Sequence, residues 1–229
     1  MLELRDITLH LEGYHLAANA EFKGRFTALI GPSGAGKSTI LNMIAGFLPP
    51  SRGQILWDNR PLDGLAPAKR PVSILFQDNN LFPHLTIAAN LALALTTKRP
   101  TPAQTERINA ALAQVGLADM GTRKPAALSG GQQSRAALAR VLLQDRPLMM
   151  LDEPFSALGP ALRAEMLDLV AQLASDAGIT VLMVSHAPED AKRVADQVAL
   201  VAEGQLFPPQ STDRLFADPP PELRAYLGV

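Results

Sequence analysis

An α/β fold is what this 229-residue sequence predicts. Short apolar strands alternate with segments of helical spacing. One strand runs straight into a glycine loop, GPSGAGKS, that opens a helix. Late in the chain, apolar strands end in polar groups, the layout of a sheet whose ligands gather at the C-terminal ends of its strands.

Alternating apolar residues at 2–11 and 16–22 predict two strands of a β-rich opening section. RFTALI, Arg25 to Ile30, is the short strand entering the glycine loop. From Lys37 the spacing turns helical through Ile40, Leu41, Ile44 and Phe47, with Gly46 and Pro49–Pro50 near its end. QILWD, Gln54 to Asp58, is another strand, followed by a turn region. Val72 to Phe76, Leu148 to Leu151 and Thr180 to Val184 are continuous apolar strands of the kind buried on both faces. Helices are expected at about 160–177 and 188–195, then a strand at 197–207 with a Gly turn inside it. The tail has room for two short helical stretches at most. About seventy residues of helical pattern separate Phe76 from Leu151, whereas a parallel crossover needs only about a dozen. The excess, 78–144, predicts a helical subdomain beside the sheet.

Composition narrows the function. Hydrophobic content is 47% with 19% charged residues, ordinary for a chain with a sizeable core. A net charge of −1 gives no electrostatic case for nucleic acid as a partner. Without cysteine there is neither a disulfide framework nor a Cys-based metal site. The start, MLELRDITLH, lacks the pattern of a signal peptide. No apolar run nears the roughly 18 residues that span a bilayer, and TIAANLALALTT has the length of a buried or docking helix.

The strongest motif is the phosphate loop Gly31, Pro32, Ser33, Gly34, Ala35, Gly36, Lys37 and Ser38, followed by Thr39, with a strand before it and a helix after. Its glycines let backbone N–H groups wrap phosphates, Lys37 reaches the β/γ oxygens, and the Ser38 hydroxyl ligates Mg2+. LMMLDEP places Asp152 at the strand's end as the expected Mg2+ partner, and Glu153 next to it to polarise an attacking water. Gln77 and His186 follow two other apolar strands. Lys37, Gln77, Asp152, Glu153 and His186 are thus expected to converge on one γ-phosphate, with Ser38, Gln77 and Asp152 around the metal. The reaction class is ATP hydrolysis by an in-line water. LSGGQ, Leu128 to Gln132, puts a second cradle of small residues before another helix. One nucleotide site has no evident use for two.

Together GPSGAGKS, Gln77, LSGGQ, LMMLDEP and SHAPED resemble the ATP-binding subunits of ABC transporters, in family order over nearly the whole chain. The resemblance implies a phosphate-loop NTPase core (1–77 and 145–229) with an N-terminal antiparallel β subdomain and an inserted helical subdomain (78–144). It also implies an ATP-dependent head-to-tail dimer, in which Ser129, Gly130, Gly131 and Gln132 face the ATP of the second copy. That would explain the two cradles. Further implied partners are transmembrane permease subunits, docking near Asn79 to Ala89, and indirectly a periplasmic substrate-binding protein. The implied location is peripheral, on the cytoplasmic face of the bacterial inner membrane. The family stacks an aromatic residue on adenine; Tyr14 is the candidate, with Phe22 and His10 as alternatives. RPVSILFQDNNLFPHLTIAANLALAL and LDEPFSALGPALRAEMLDLV look like thiamine importers. Importers of iron, sulfate or polyamine, a soluble ABC ATPase and a regulatory ATP sensor are the competing readings.

The chain departs from the family at Gly159, where SALGP replaces SALDP. The lost carboxylate and the freer backbone predict looser coupling between two sites. Ser134 stands where a long polar side chain is common, and little effect is expected of it.

Overall fold

In the computed structural model, which describes residues 1–11 and 13–228, the elements follow the apolar spacing closely. β1 (Leu2–Leu11), β2 (Tyr14–Phe22) and β3 (Phe26–Ile30) lead into α1 (Lys37–Ala45). β4 (Arg52–Trp57), β5 (Arg60–Pro61) and β6 (Val72–Leu75) come next. Then α2 (Ile87–Ala92), α3 (Pro102–Gln114) and α4 (Gly130–Leu142) precede β7 (Leu148–Asp152) and α5 (Pro160–Asp176). The last part holds β8 (Thr180–Val184), α6 (Pro188–Val194), β9 (Gln197–Ala202), β10 (Gln205–Leu206) and β11 (Gln210–Ser211). It closes with α7 (Thr212–Ala217) and α8 (Pro221–Leu227). The residues cluster into two compact units, Met1–Val72 with Thr180–Val229, and Ser73–Ile179.

In the first unit the strands run in the order β5-β4-β1-β2-β10-β9-β3-β8, with β11 on β9. β1 is antiparallel to both β2 and β4, while β3 is parallel to both β8 and β9. The chemistry of the sequence matches each half. β1 alternates, burying Leu2, Leu4, Ile7 and Leu9, whereas FTALI of β3, parallel to both its neighbours, is buried at every position, as in a sheet covered on both faces. Arg70 is only 5% exposed and donates to the carbonyls of Met43 and Ile44, each at 2.8 Å. Those carbonyls lie in the last turn of α1, where the Met43 carbonyl also accepts from the Gly46 amide at 3.2 Å, so Arg70 helps close the helix that follows the phosphate loop. Burial lowers the Arg70 pKa, opposed by the Asp63 charge.

The second unit places β7 beside β6, with the Ser73 hydroxyl donating to the Leu148 carbonyl at 3.5 Å. α2, α3 and α4 pack on one another, and α4 also on α5. Ala136 to Ala139 of α4 are all fully buried, so that helix is enclosed over a whole turn. Thr86, Thr101 and Ser129 cap α2, α3 and α4 through their side chains. TIAANLALALTT is helical only over Ile87–Ala92; beyond it Ala94 and Leu95 donate to Leu91 and Ala92, the tight i→i+3 bonds that end a helix. Among the described residues no helix is long and apolar enough to cross a membrane.

Candidate functional site

The phosphate loop is shaped by backbone conformations that side chains resist. The chain leaves β3 at Gly31 with φ 146, where a Cβ would lie 2.0 Å from the Val201 carbonyl oxygen. Gly36 has φ 107, and a Cβ there would lie 1.9 Å from the Tyr14 hydroxyl. Both positions therefore demand glycine. No side chain caps the N-terminus of α1 at Gly36, which leaves the first-turn backbone to act on a ligand. Lys37 is 5% exposed and its ammonium donates to the Gly31 and Pro32 carbonyls at 2.7 and 2.8 Å. Ser38 and Thr39 continue the first turn of α1. A helix N-terminus with an ammonium held inside its loop is an oxyanion site.

Of the three adenine candidates, Phe22 is 2% exposed in the core and cannot meet a base. His10 lies exposed on β1, its ring 4.6 Å from that of His15. Tyr14 opens β2, and its buried hydroxyl, which has no hydrogen-bond partner, points at Gly36. Tyr14 thus belongs beside the phosphate loop, by its hydroxyl end.

His186 emerges at the same sheet edge as the loop. Leu29 of β3 is in register with Val184 of β8, and the Ser185 amide donates to the Leu29 carbonyl at 3.1 Å. The turn holding His186 is fixed by Ser185, 2% exposed, whose hydroxyl donates to the Asp190 carboxylate at 2.7 Å and accepts from the Ala187 amide at 3.0 Å. The Tyr226 hydroxyl of α8 donates to the His186 carbonyl.

In the second unit, β7 is buried from Leu148 to Leu151 and surfaces at Asp152. Glu153, next, has φ 46, a conformation costing about 1–2 kcal/mol for an L side chain. Its carbonyl accepts from the amide and hydroxyl of Ser156 at 3.3 and 3.1 Å, and Phe155 beyond it is 2% exposed. Such strain collects at functional sites, where neighbouring contacts over-determine it. Among the described residues no three His, Cys, Asp or Glu side chains group to hold a metal. A lone strand-end carboxylate is the kind of ligand Mg2+ takes, since that ion keeps several waters and needs few protein ligands.

Gln77 lies exposed in the loop after β6, bounded by a turn in which the Asn79 amide donates to the Phe76 carbonyl at 3.0 Å. LSGGQ forms a capping box at the start of α4. The Ser129 hydroxyl accepts from the Gln132 amide at 3.3 Å, and the Gln132 side chain accepts from the Ser129 amide at 3.0 Å. Ser129 and Gly130 are exposed, while Gly131 is buried against Leu162. Gly159 is the N-cap of α5 with φ −63 and no side-chain cap. Its backbone conformation is one any residue adopts, and what the glycine lacks there is a side-chain cap for α5.

The first unit therefore brings Tyr14 to the loop Gly31–Thr39 and sets His186 in the turn after β8, the strand next to β3. The second holds Gln77, Ser129–Gln132, Asp152 and Glu153. Sequence reasoning missed Arg70, Arg140 and Tyr226, each of which acts on backbone carbonyls distant in sequence.

The ABC transporter family matches residues 20–156. The chain is 56% identical, with all of both chains covered, to the thiamine import ATP-binding protein ThiQ of Cereibacter sphaeroides. It is 54% identical, again over all of both chains, to ThiQ of Ruegeria sp. strain TM1040. ThiQ of Shigella sonnei is 46% identical, with 100% of this chain and 99% of the relative covered. The fold is similar to the dimeric bacterial ABC transporter cassette MJ0796, with TM-score 0.79 and 27% identity over 93% of this chain and 99% of that one. The same cassette as a post-hydrolysis dimer bound to ADP and Pi gives TM-score 0.77 and 28% identity, at the same coverage.

Proposed function

The chain belongs to the ABC transporter family, and on that premise we propose that it is the ATP-hydrolysing subunit of a thiamine importer. The observation that carries the proposal is a phosphate loop with fixed geometry in a chain alike along its whole length to thiamine import ATP-binding proteins.

Gly31–Thr39 hold the phosphates of ATP, and Lys37 exchanges its two carbonyl acceptors for β/γ oxygens. Ser38, Gln77 and Asp152 are the ligands proposed for Mg2+, which neutralises charge on the phosphates when bound. Glu153 accepts a proton from the attacking water, and His186 donates to the γ-phosphate that becomes inorganic phosphate. Catalysis here is mostly positioning and charge stabilisation, with little covalent work for the protein. Tyr14 holds the nucleotide next to Gly36. Ser129, Gly130, Gly131 and Gln132 serve the ATP of a second copy packed head to tail, and ATP favours the closed dimer because it binds that state better.

Dimeric ABC cassettes of similar fold support self-association, and importer relatives support membrane permease partners. We take residues 78–144 as the helical subdomain that docks the permease near Asn79 to Ala89. We place the subunit on the cytoplasmic face of the bacterial inner membrane, served indirectly by a periplasmic substrate-binding protein.

Uptake of labelled thiamine in the host, wild type against Lys37→Ala at equal protein level and with no second importer present, tests the reading. Loss of uptake is expected in the mutant. Unchanged uptake would leave an ABC ATPase but remove thiamine as its cargo.

A further inference from the structure

Two consecutive residues after Gln77 sit in the left-handed region, Asn79 at φ 57 and Asn80 at φ 48. Asparagine tolerates this conformation better than most residues, but a pair in sequence still needs outside support. The support comes from α4. Arg140 donates through Nη2 to the Asn79 carbonyl at 3.0 Å and through Nη1 to the Asn80 carbonyl at 2.7 Å. The Asn79 side-chain amide donates to the Ser134 hydroxyl at 3.3 Å, and Ser134 is 2% exposed. All four residues lie within one compact unit.

The arrangement has a mechanical meaning. α4 carries Ser129 at its N-cap, Ser134 one turn in and Arg140 in its last turn. A 13-residue helix is a rod about 20 Å long. Three hydrogen bonds therefore join the loop of Gln77 to the rod that ends in Ser129–Gln132. Burial lowers the Arg140 pKa, and the guanidinium spends its fork on two carbonyls, a planar geometry that lysine does not offer. The Asn79 carbonyl-side oxygen of the amide is buried without a donor, so the contact is held by one end of that side chain only.

We propose that Asn79, Ser134 and Arg140 form a latch that fixes the loop after Gln77 to the helix carrying Ser129–Gln132, so that the two move as one body. Asn79, Ser134 and Arg140 are positioning residues, since none is placed on the nucleotide. Ser134 meets Asn79 through its hydroxyl, which accepts from the Asn79 amide at 3.3 Å. The latch rests on the reading of Ser129–Gln132 as the surface that meets the second copy's ATP.

The test uses the full chain and two readouts, turnover at saturating ATP and ATP affinity of the dilute monomer. Asn79→Gly deletes the amide but keeps a residue suited to positive φ, so the loop retains its backbone path. Asn79→Gly and Ser134→Ala should each lower turnover about three- to tenfold, the worth of one hydrogen bond, with monomer affinity unchanged. The double variant should be no slower than the slower single one, because both remove the same contact. Melting temperature separates this from simple destabilisation: turnover measured well below it should still fall. Single variants at wild-type turnover, or a double variant whose loss is the product of the two, would overturn the latch. Ser129→Arg, run beside them, keeps the two readings apart. If it is inactive while the latch variants are normal, only the latch fails; if it turns over normally, the reading of the signature fails and takes the latch with it.

Discussion

Two glycine-rich stretches open helices in this chain, GAGKS before α1 and SGGQ before α4, and they are built on different terms. In the first, Gly31 and Gly36 take conformations and close approaches that no side chain fits, and no side chain caps the helix. In the second, Gly130 and Gly131 are ordinary helical residues behind a complete capping box of Ser129 and Gln132. The first is a finished nest that needs only its anion. The second uses its own side chains to bond the Ser129 and Gln132 amides, which leaves only the N–H groups of Gly130 and Gly131 for a ligand. Likeness of composition hides this difference. Backbone conformation exposes it, and it agrees with a site shared between two copies.

In the proposed mechanism the base belongs to neither stretch but is Glu153. Glu153→Gln should therefore keep ATP binding at both while turnover drops about 10²- to 10⁴-fold in a steady-state assay; near-normal turnover would remove Glu153 as the base. Ser129→Arg should cost at least about 10²-fold in turnover while calorimetry on the monomer finds ATP affinity unchanged, since the interactions lost are made only in the closed dimer. An equal loss of monomer affinity would make the two stretches parts of one chain's own site.

Gly36→Ala tests the other side. The strain of a positive φ, added to contact with Tyr14, should weaken ATP binding at least about tenfold in the same calorimetry. Gly130→Ala, with its nearest neighbour Leu158 at 3.8 Å, should leave monomer affinity alone and raise stability by about 0.5 kcal/mol in urea unfolding. If both glycines behave alike, the contrast is wrong. The smallest effect is at Gly159. Gly159→Asp should add an N-cap to α5 worth about 0.3 kcal/mol. A sharper Hill coefficient for ATP should accompany it if the missing carboxylate also linked two sites; an unchanged coefficient would confine the position to helix capping.

The sequence made the strands, the phosphate loop and the helical stretch at 78–144 legible, because each is written in local period and spacing. β8 could be read as doubly buried from TVLMV alone, and the edge holding His186 followed from it. What stayed hidden is long-range and polar. Arg140 reaches Asn79 across 61 positions, and Tyr226 reaches His186 across 40, with no pattern that joins them. The positive φ of Glu153 was hidden for another reason: glutamate gives no sign of a conformation that its surroundings impose. Ser134 gave no sign of the hydrogen bond it accepts from Asn79, nor Gly159 of its place as the N-cap of α5.

The central claim is that each site takes its phosphate loop from one chain and its signature from another. Complementation tests it most directly. Lys37→Ala and Ser129→Arg chains should each be inactive, but a mixed dimer pairs an intact Lys37 with an intact Ser129 at one of its two sites. Equal mixing should restore roughly a quarter of wild-type hydrolysis, as random head-to-tail pairing of independent sites requires. A mixture no more active than its components would contradict the shared site.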